Sequence, residues 1–138
     1  MPSFLADKSA LARIRTSAEV RAVLEALLLR NEIATCGIVE LEVLYSASSP
    51  GNYRATVEAL EGMPRVPVEE LTVRRALEVQ GSLAERSQHR GVPLPDLLVA
   101  ACAERAGLIV LHYDQDFERI AELTAQPAQW VVPRGSVS

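Results

Sequence analysis

Residues 93–117 read PLPDLLVAACAERAGLIVLHYDQDF, and the fold turns on them. Leu94, Leu97, Leu98, Ala101 and Cys102 recur at helical spacing and give one apolar stripe. Gly107 stands where a helix closes on a left-handed residue. Leu108–His112 follows as an unbroken apolar run, the pattern of a strand covered on both faces. Asp114 and Asp116 come directly after it.

The same alternation extends outward from this stretch. Upstream, Ser3–Asp7 suits a short strand running into a helix start. Val20, Val23, Leu24, Leu27 and Leu28 mark an amphipathic helix with Ser17 as its N-cap. Glu32–Cys36 is β-prone and Gly37 ends it, and Val39–Ala47 reads as helix up to the breaker cluster Ser48-Ser49-Pro50-Gly51. Residues 53–61 look helical. Arg65–Val68 is a short strand that Pro67 confines to an edge or an early end. Thr72 is placed to cap a helix reaching about Ser87, and Gly91–Pro95 is a loop. Downstream, Asp116–Leu123 forms a short helix and Trp130–Val132 a last strand. Helices alternating with short buried strands predict one domain over residues 1–138, a three-layer α/β/α architecture with a mainly parallel central sheet.

Composition narrows the function classes. Aromatic residues are only 4% of the chain, so the core must be built of Leu, Val, Ala and Ile. Cys36 and Cys102 lie far apart in apolar stretches without metal-ligand spacing, which predicts buried free thiols. No secretory leader is evident and no run nears the roughly 18 apolar residues of a membrane span, so a cytoplasmic protein is expected. The net charge of −4 looks wrong for a nucleic-acid binder, but its distribution is uneven. Residues 1–30 carry five basic residues against three acids, and residues 74–90 four arginines against two glutamates. Residues 91–138 reverse the balance, with six acids against three arginines.

Parallel sheets bind ligands beyond the carboxyl ends of their strands, and several acids fall there. Asp7 follows the first strand, Glu40 and Glu42 the second, and Asp114 and Asp116 the strand at 108–112. Asp96 opens the helix after the proline-rich loop, where the helix dipole favours an anion. Singly, each has an ordinary structural explanation as a cap, a turn former or a solvated group. Together, like charges repel unless protonated or neutralised. An all-oxygen cluster without His or Cys suits Mg²⁺ or Mn²⁺ rather than zinc. Such ions are standard apparatus for phosphodiester hydrolysis.

Three blocks carry a family resemblance. FLADKSALARI (residues 4–14), IATCGIVELEVLYSA (residues 33–47) and the 93–117 stretch resemble, in order, the conserved segments of PIN-domain ribonucleases, in particular VapC toxins of toxin–antitoxin pairs. The resemblance implies an endoribonuclease with Asp7, Glu42, Asp96 and Asp114 as its acidic quartet. Asp7, Asp96 and Asp114 would ligate Mg²⁺ or Mn²⁺, with Asp116 as an outer ligand. Glu42 is preferred to Glu40 because it lies four residues before the small residue Ser46; both cannot face one site, since residues i and i+2 of a helix point apart. Ser9, Lys8 and Arg13 are implied on the substrate side. Lys8 and His112 depart from the hydroxyl residues common at those places, and His112 reads best as a strand-end residue. The resemblance also implies an RNA substrate, a VapB-like antitoxin and a homodimer, though the run Leu27-Leu28-Leu29 more readily signals burial within the monomer. Two other readings compete. A receiver-like phosphoryl hydrolase would need paired early acids and a late lysine, whereas the sole lysine is Lys8. A catalytically silent module would be marked by loss of a quartet acid, and all four are present.

Overall fold

A computed structural model describes residues 2–138. Five strands form one all-parallel sheet in the order β3-β2-β1-β4-β5. They are β1 (Phe4–Ala6), β2 (Ile33–Cys36), β3 (Arg65–Val66), β4 (Ile109–His112) and β5 (Ala128–Trp130). Seven helices connect them: α1 (Lys8–Leu11), α2 (Ala18–Leu29), α3 (Gly37–Tyr45), α4 (Pro50–Glu61), α5 (Glu70–Glu85), α6 (Leu94–Ala106) and α7 (Asp116–Thr124).

Strand alternation sorts the sheet into two faces. Leu5, Ala34 and Val110 sit side by side in the register and pack into one core with α5, α6 and α7. Their neighbours Ala6, Ile33 and Leu111 pack on the opposite face against Val20, Leu24 and Leu27 of α2. Both faces are covered, as the unbroken apolar run at 108–112 predicts. Cys36 and Cys102 are free and fully buried in the first core. Among the described residues no helix is long and apolar enough to cross a membrane.

Most element ends obey local chemistry. Ser17 Oγ accepts the Val20 N–H at 3.1 Å and starts α2. Gly107 closes α6 at φ +70°, a conformation that costs glycine little.

Three expectations need correction and a fourth needs extending. The Ser48-Ser49-Pro50-Gly51 cluster follows the end of α3, as expected, but it also begins α4, with Ser49 Oγ accepting the Asn52 N–H at 3.0 Å and Pro50 in the first turn. Proline is suited there because its missing N–H has no intrahelical partner. Thr72 does not cap α5 but stands three residues in, where its hydroxyl accepts the Glu69 N–H at 3.2 Å. The last strand lies two residues earlier than its valines suggest. Pairing of Val110 with Ala128 and of His112 with Trp130 sets it, and Val131 and Val132 are buried just past its end. Finally, of the three leucines only Leu27 is buried, whereas Leu29 is 85% exposed.

That last contrast yields a stability prediction. Leu24→Ala and Leu27→Ala should each destabilise the protein by about 2–4 kcal/mol in urea unfolding, since each vacates a filled core site. Leu29→Ala should stay within about 0.5 kcal/mol of the parent.

Candidate functional site

The chain winds from β1 to β2 and β3 on one side, then returns to place β4 and β5 on the other. The sheet order therefore switches between β1 and β4, and in parallel sheets the ligand crevice lies beyond the carboxyl ends at such a switch point. Asp7 leaves β1 on one side of that crevice, and His112, Tyr113 and Asp114 leave β4 on the other.

Asp7 is buried and caps α1, its Oδ2 accepting the Ser9 N–H at 2.9 Å. Asp96 is buried in the first turn of α6. Its Coulombic neighbours are Asp7, Asp114, Asp116 and Glu42, so it is the hub of the cluster. Ligand oxygens of Asp96, Asp114 and Asp116 lie within 4.8 Å of one another. Glu42 projects from α3 toward Asp7 and Lys8. Glu40 does not join them. Its carboxylate is turned aside by the Arg65 guanidinium on β3, with Nη2 donating at 2.7 Å.

Electrostatics follow from this crowding. Burial, and then the surrounding carboxylates, push Asp96 up to about 8, so in the metal-free protein it holds a proton at neutral pH. Burial also raises Asp7, against the lowering effect of its hydrogen bonds from Ser9. Glu42 and Asp116 are raised as well, chiefly by burial, then by Asp7 and by Asp114 respectively. Asp7 Oδ1, Glu42 Oε1 and Asp96 Oδ2 are buried without any hydrogen-bond partner among the described residues. Buried acceptors normally find donors, so three orphaned oxygens in one crevice fit a divalent cation as the missing partner.

The residues expected on the substrate side separate. Lys8 is half-buried on α1 and carries the positive charge that favours the ionised form of Glu42. Ser9 ties the two walls together, its N–H on Asp7 and its Oγ accepting the Tyr113 N–H at 2.8 Å. Arg13 is already engaged. Its guanidinium donates to the Ser9 carbonyl at 2.6 Å and the Ser138 carbonyl at 3.0 Å and lies over the Tyr113 ring at 4.5 Å. Tyr113, which sequence reasoning did not single out, donates its hydroxyl to the Val137 carbonyl at 2.8 Å. No local pattern marks the contacts of Tyr113 with Val137 or of Arg13 with Ser138, whose partners are 24 and 125 residues apart.

The PIN domain family matches residues 4–123. Ribonuclease VapC18 of Mycobacterium tuberculosis is 45% identical over 114 residues, covering 81% of this chain and 83% of the relative. Ribonuclease VapC21 of the same species is 43% identical over 134 residues, covering 96% of each. Among solved structures, a chain of DNA-bound VapBC from Salmonella typhimurium superposes with a TM-score of 0.78 at 19% identity, covering 96% of this chain and 100% of that one. VapBC2 from Rickettsia felis gives 0.73 at 16% identity, covering 91% and 96%. These likenesses in sequence and fold agree with the buried acids at the sheet's switch point: the chain belongs to the PIN domain family, and within it to the VapC ribonucleases.

Proposed function

We propose that Asp7, Glu42, Asp96 and Asp114 form the catalytic quartet of a toxin endoribonuclease, with Asp7, Asp96, Asp114 and Asp116 holding Mg²⁺ or Mn²⁺. The observation that carries this reading is the trio of orphaned buried oxygens on Asp7, Glu42 and Asp96. When bound, the divalent cation supplies a Lewis acid that makes water nucleophilic near neutral pH and offsets charge on the phosphoryl oxygens. The chain's own residues do the rest. Asp96 gives up its proton as the site fills, which couples cation affinity to pH. Ser9 holds Asp7 at a fixed distance from the β4 wall. Lys8 is the cation placed to meet a scissile phosphate, and the Ser9 hydroxyl lies on the same side. Arg13 serves from behind, by bracing Ser9 and Tyr113. Hydrolysis in line would leave 5′-phosphate and 3′-hydroxyl ends.

The solved neighbours include VapBC complexes, which supports a VapB-like antitoxin as partner. A groove of about 400 Å³ runs beside the acids, lined by Lys8, Leu11, Ile14, Leu28, Val43 and Leu60 among others. Its apolar floor suits an inserted amphipathic segment, and an arginine on that segment would complement the carboxylates. Exposed Leu41 and Tyr45 on α3, with Leu71 and Leu77 on α5, offer apolar surface for a homodimer. A cytoplasmic location accords with this reading.

Purified chain incubated with total RNA should cleave it in Mg²⁺ or Mn²⁺ and not in EDTA. Asp7→Asn, Asp96→Asn and Asp114→Asn should each lose at least about 100-fold in rate. Glu42→Gln should fall similarly, while Glu40→Gln, which breaks only an exposed ion pair, should keep near-parental activity. Equal losses at 40 and 42 would sink the assignment of the glutamate.

Acid crowding also sets a pH dependence. Asp96 binds its proton more tightly folded than unfolded, so its contribution to metal-free stability is full below about pH 4 and is lost as pH rises through about 8. The melting temperature of the EDTA-treated protein should therefore fall between pH 5 and pH 8, and Mn²⁺ should flatten that slope. Asp96→Asn should raise the metal-free melting temperature at pH 7.5 by several degrees, roughly 1–3 kcal/mol, while abolishing cleavage. A variant that melts lower than the parent would contradict the crowding argument.

A further inference from the structure

We propose that His112 is a positioning residue for this site: its Nδ1 fixes the backbone turn that presents Asp114 to the crevice. The proposal rests on the metal-nuclease reading above and adds a residue to it.

β4 ends at His112, and the chain must then turn within two residues to present Asp114. Side chains build that turn. The Tyr113 N–H is taken by Ser9 Oγ at 2.8 Å, the Asp114 N–H by His112 Nδ1 at 3.1 Å and the Asp116 N–H by Asp114 Oδ1 at 2.9 Å. The imidazole has no freedom to leave this position. It is fully buried, its centroid 5.1 Å from the Phe117 ring and 4.9 Å from the Trp130 ring.

An Nδ1 that accepts requires the ring proton on Nε2. Nε2 is buried with no hydrogen-bond partner among the described residues. That orphaned N–H is a cost a phenyl ring would avoid in the same space. If packing alone decided the position, Phe would serve better there. The acceptor at Nδ1 is what distinguishes histidine. Burial favours the neutral ring this contact needs.

Two substitutions separate packing from acceptance. Asparagine places Oδ1 at the same number of bonds from Cα as Nδ1 and preserves the acceptor, but it leaves the space between Phe117 and Trp130 unfilled. Phenylalanine fills the space and removes the acceptor. We expect His112→Phe to melt close to the parent yet bind Mn²⁺ about 10-fold more weakly by calorimetry, the size of loss typical when a ligand's supporting contact is removed. Its kcat should fall with KM for RNA little changed. His112→Asn should melt lower but keep Mn²⁺ affinity within about threefold. If Mn²⁺ affinity instead follows melting temperature across the two variants, His112 only packs and the proposal is overturned. Nitrogen NMR on the metal-free parent gives a check independent of both variants: Nδ1 should be the unprotonated ring nitrogen, and the opposite tautomer would overturn the role. A parent chain that binds no Mn²⁺ sinks the metal reading and this role with it. Parent binding alongside an unaffected Phe variant sinks this role alone.

Discussion

Asp96 is buried among four other carboxylates and cannot hand its charge to solvent as a surface acid does. In the metal-free protein the conflict is relieved by a proton, which burial and the neighbouring acids keep on Asp96 up to about pH 8. A divalent cation resolves the same conflict differently, by supplying positive charge to oxygens that have no donor. Cation binding at this cluster and strain in the empty site would thus be two expressions of one repulsion. The rest of the molecule can be understood as the frame that keeps those acids from moving apart.

That frame is unusually short in its strands. β1 has three residues and β4 four, yet each is central and lies against neighbours on both sides. Asp7 N–H donates to the Leu111 carbonyl at 2.9 Å, so the first acid is still tied to the sheet as it leaves it. Beyond that point backbone pairing gives way to side chains. Ser9 bridges the two walls, Arg13 and Tyr113 brace Ser9 and the final residues from behind, and α6 delivers Asp96 from below with its first turn. Loops carrying this much charge would drift apart if tethered only at their ends. Here each acid is within two residues of a strand end or in the body of a helix, except where side chains take over the anchoring.

The parts of this arrangement that were legible in the sequence are those governed by local rules. The α6–Gly107–β4 passage follows from helical spacing, a left-handed terminator and an unbroken apolar run, and it alone implied a covered parallel sheet. The acids after each strand could be picked out because strand ends were visible. What could not be read depended on distant partners. Glu40 and Glu42 face different ways on one helix; the family spacing to Ser46 favours Glu42, but the Arg65 guanidinium that engages Glu40 from 25 residues on leaves no local mark. Arg13, implied on the substrate side by the resemblance, is engaged by a tyrosine 100 positions later and by the carbonyls of Ser9 and Ser138. The Ser48–Gly51 cluster is legible as the break after α3, but its second role as the start of α4 is not, because proline in a first turn looks the same in sequence as proline in a loop. Register shifted β5, since two buried valines do not reveal whether they are paired or lie past the last pair.

The acidic composition of the whole chain also becomes intelligible. Fourteen basic residues face eighteen acidic ones, a balance that would ordinarily repel a polyanion. Five of those acids sit in the crevice. With them set aside, the remaining thirteen acids are outnumbered by the fourteen basic residues. The negative charge of the chain is therefore concentrated in this acidic cluster, and the remaining charges are close to balanced. On the proposed reading, the acids of the empty site would repel an RNA strand, and a bound cation would relieve that repulsion. Cation binding would then govern both the chemistry of the phosphate and its admission to the site, so the dependence of RNA binding on divalent ions should exceed what screening of the surface alone would give.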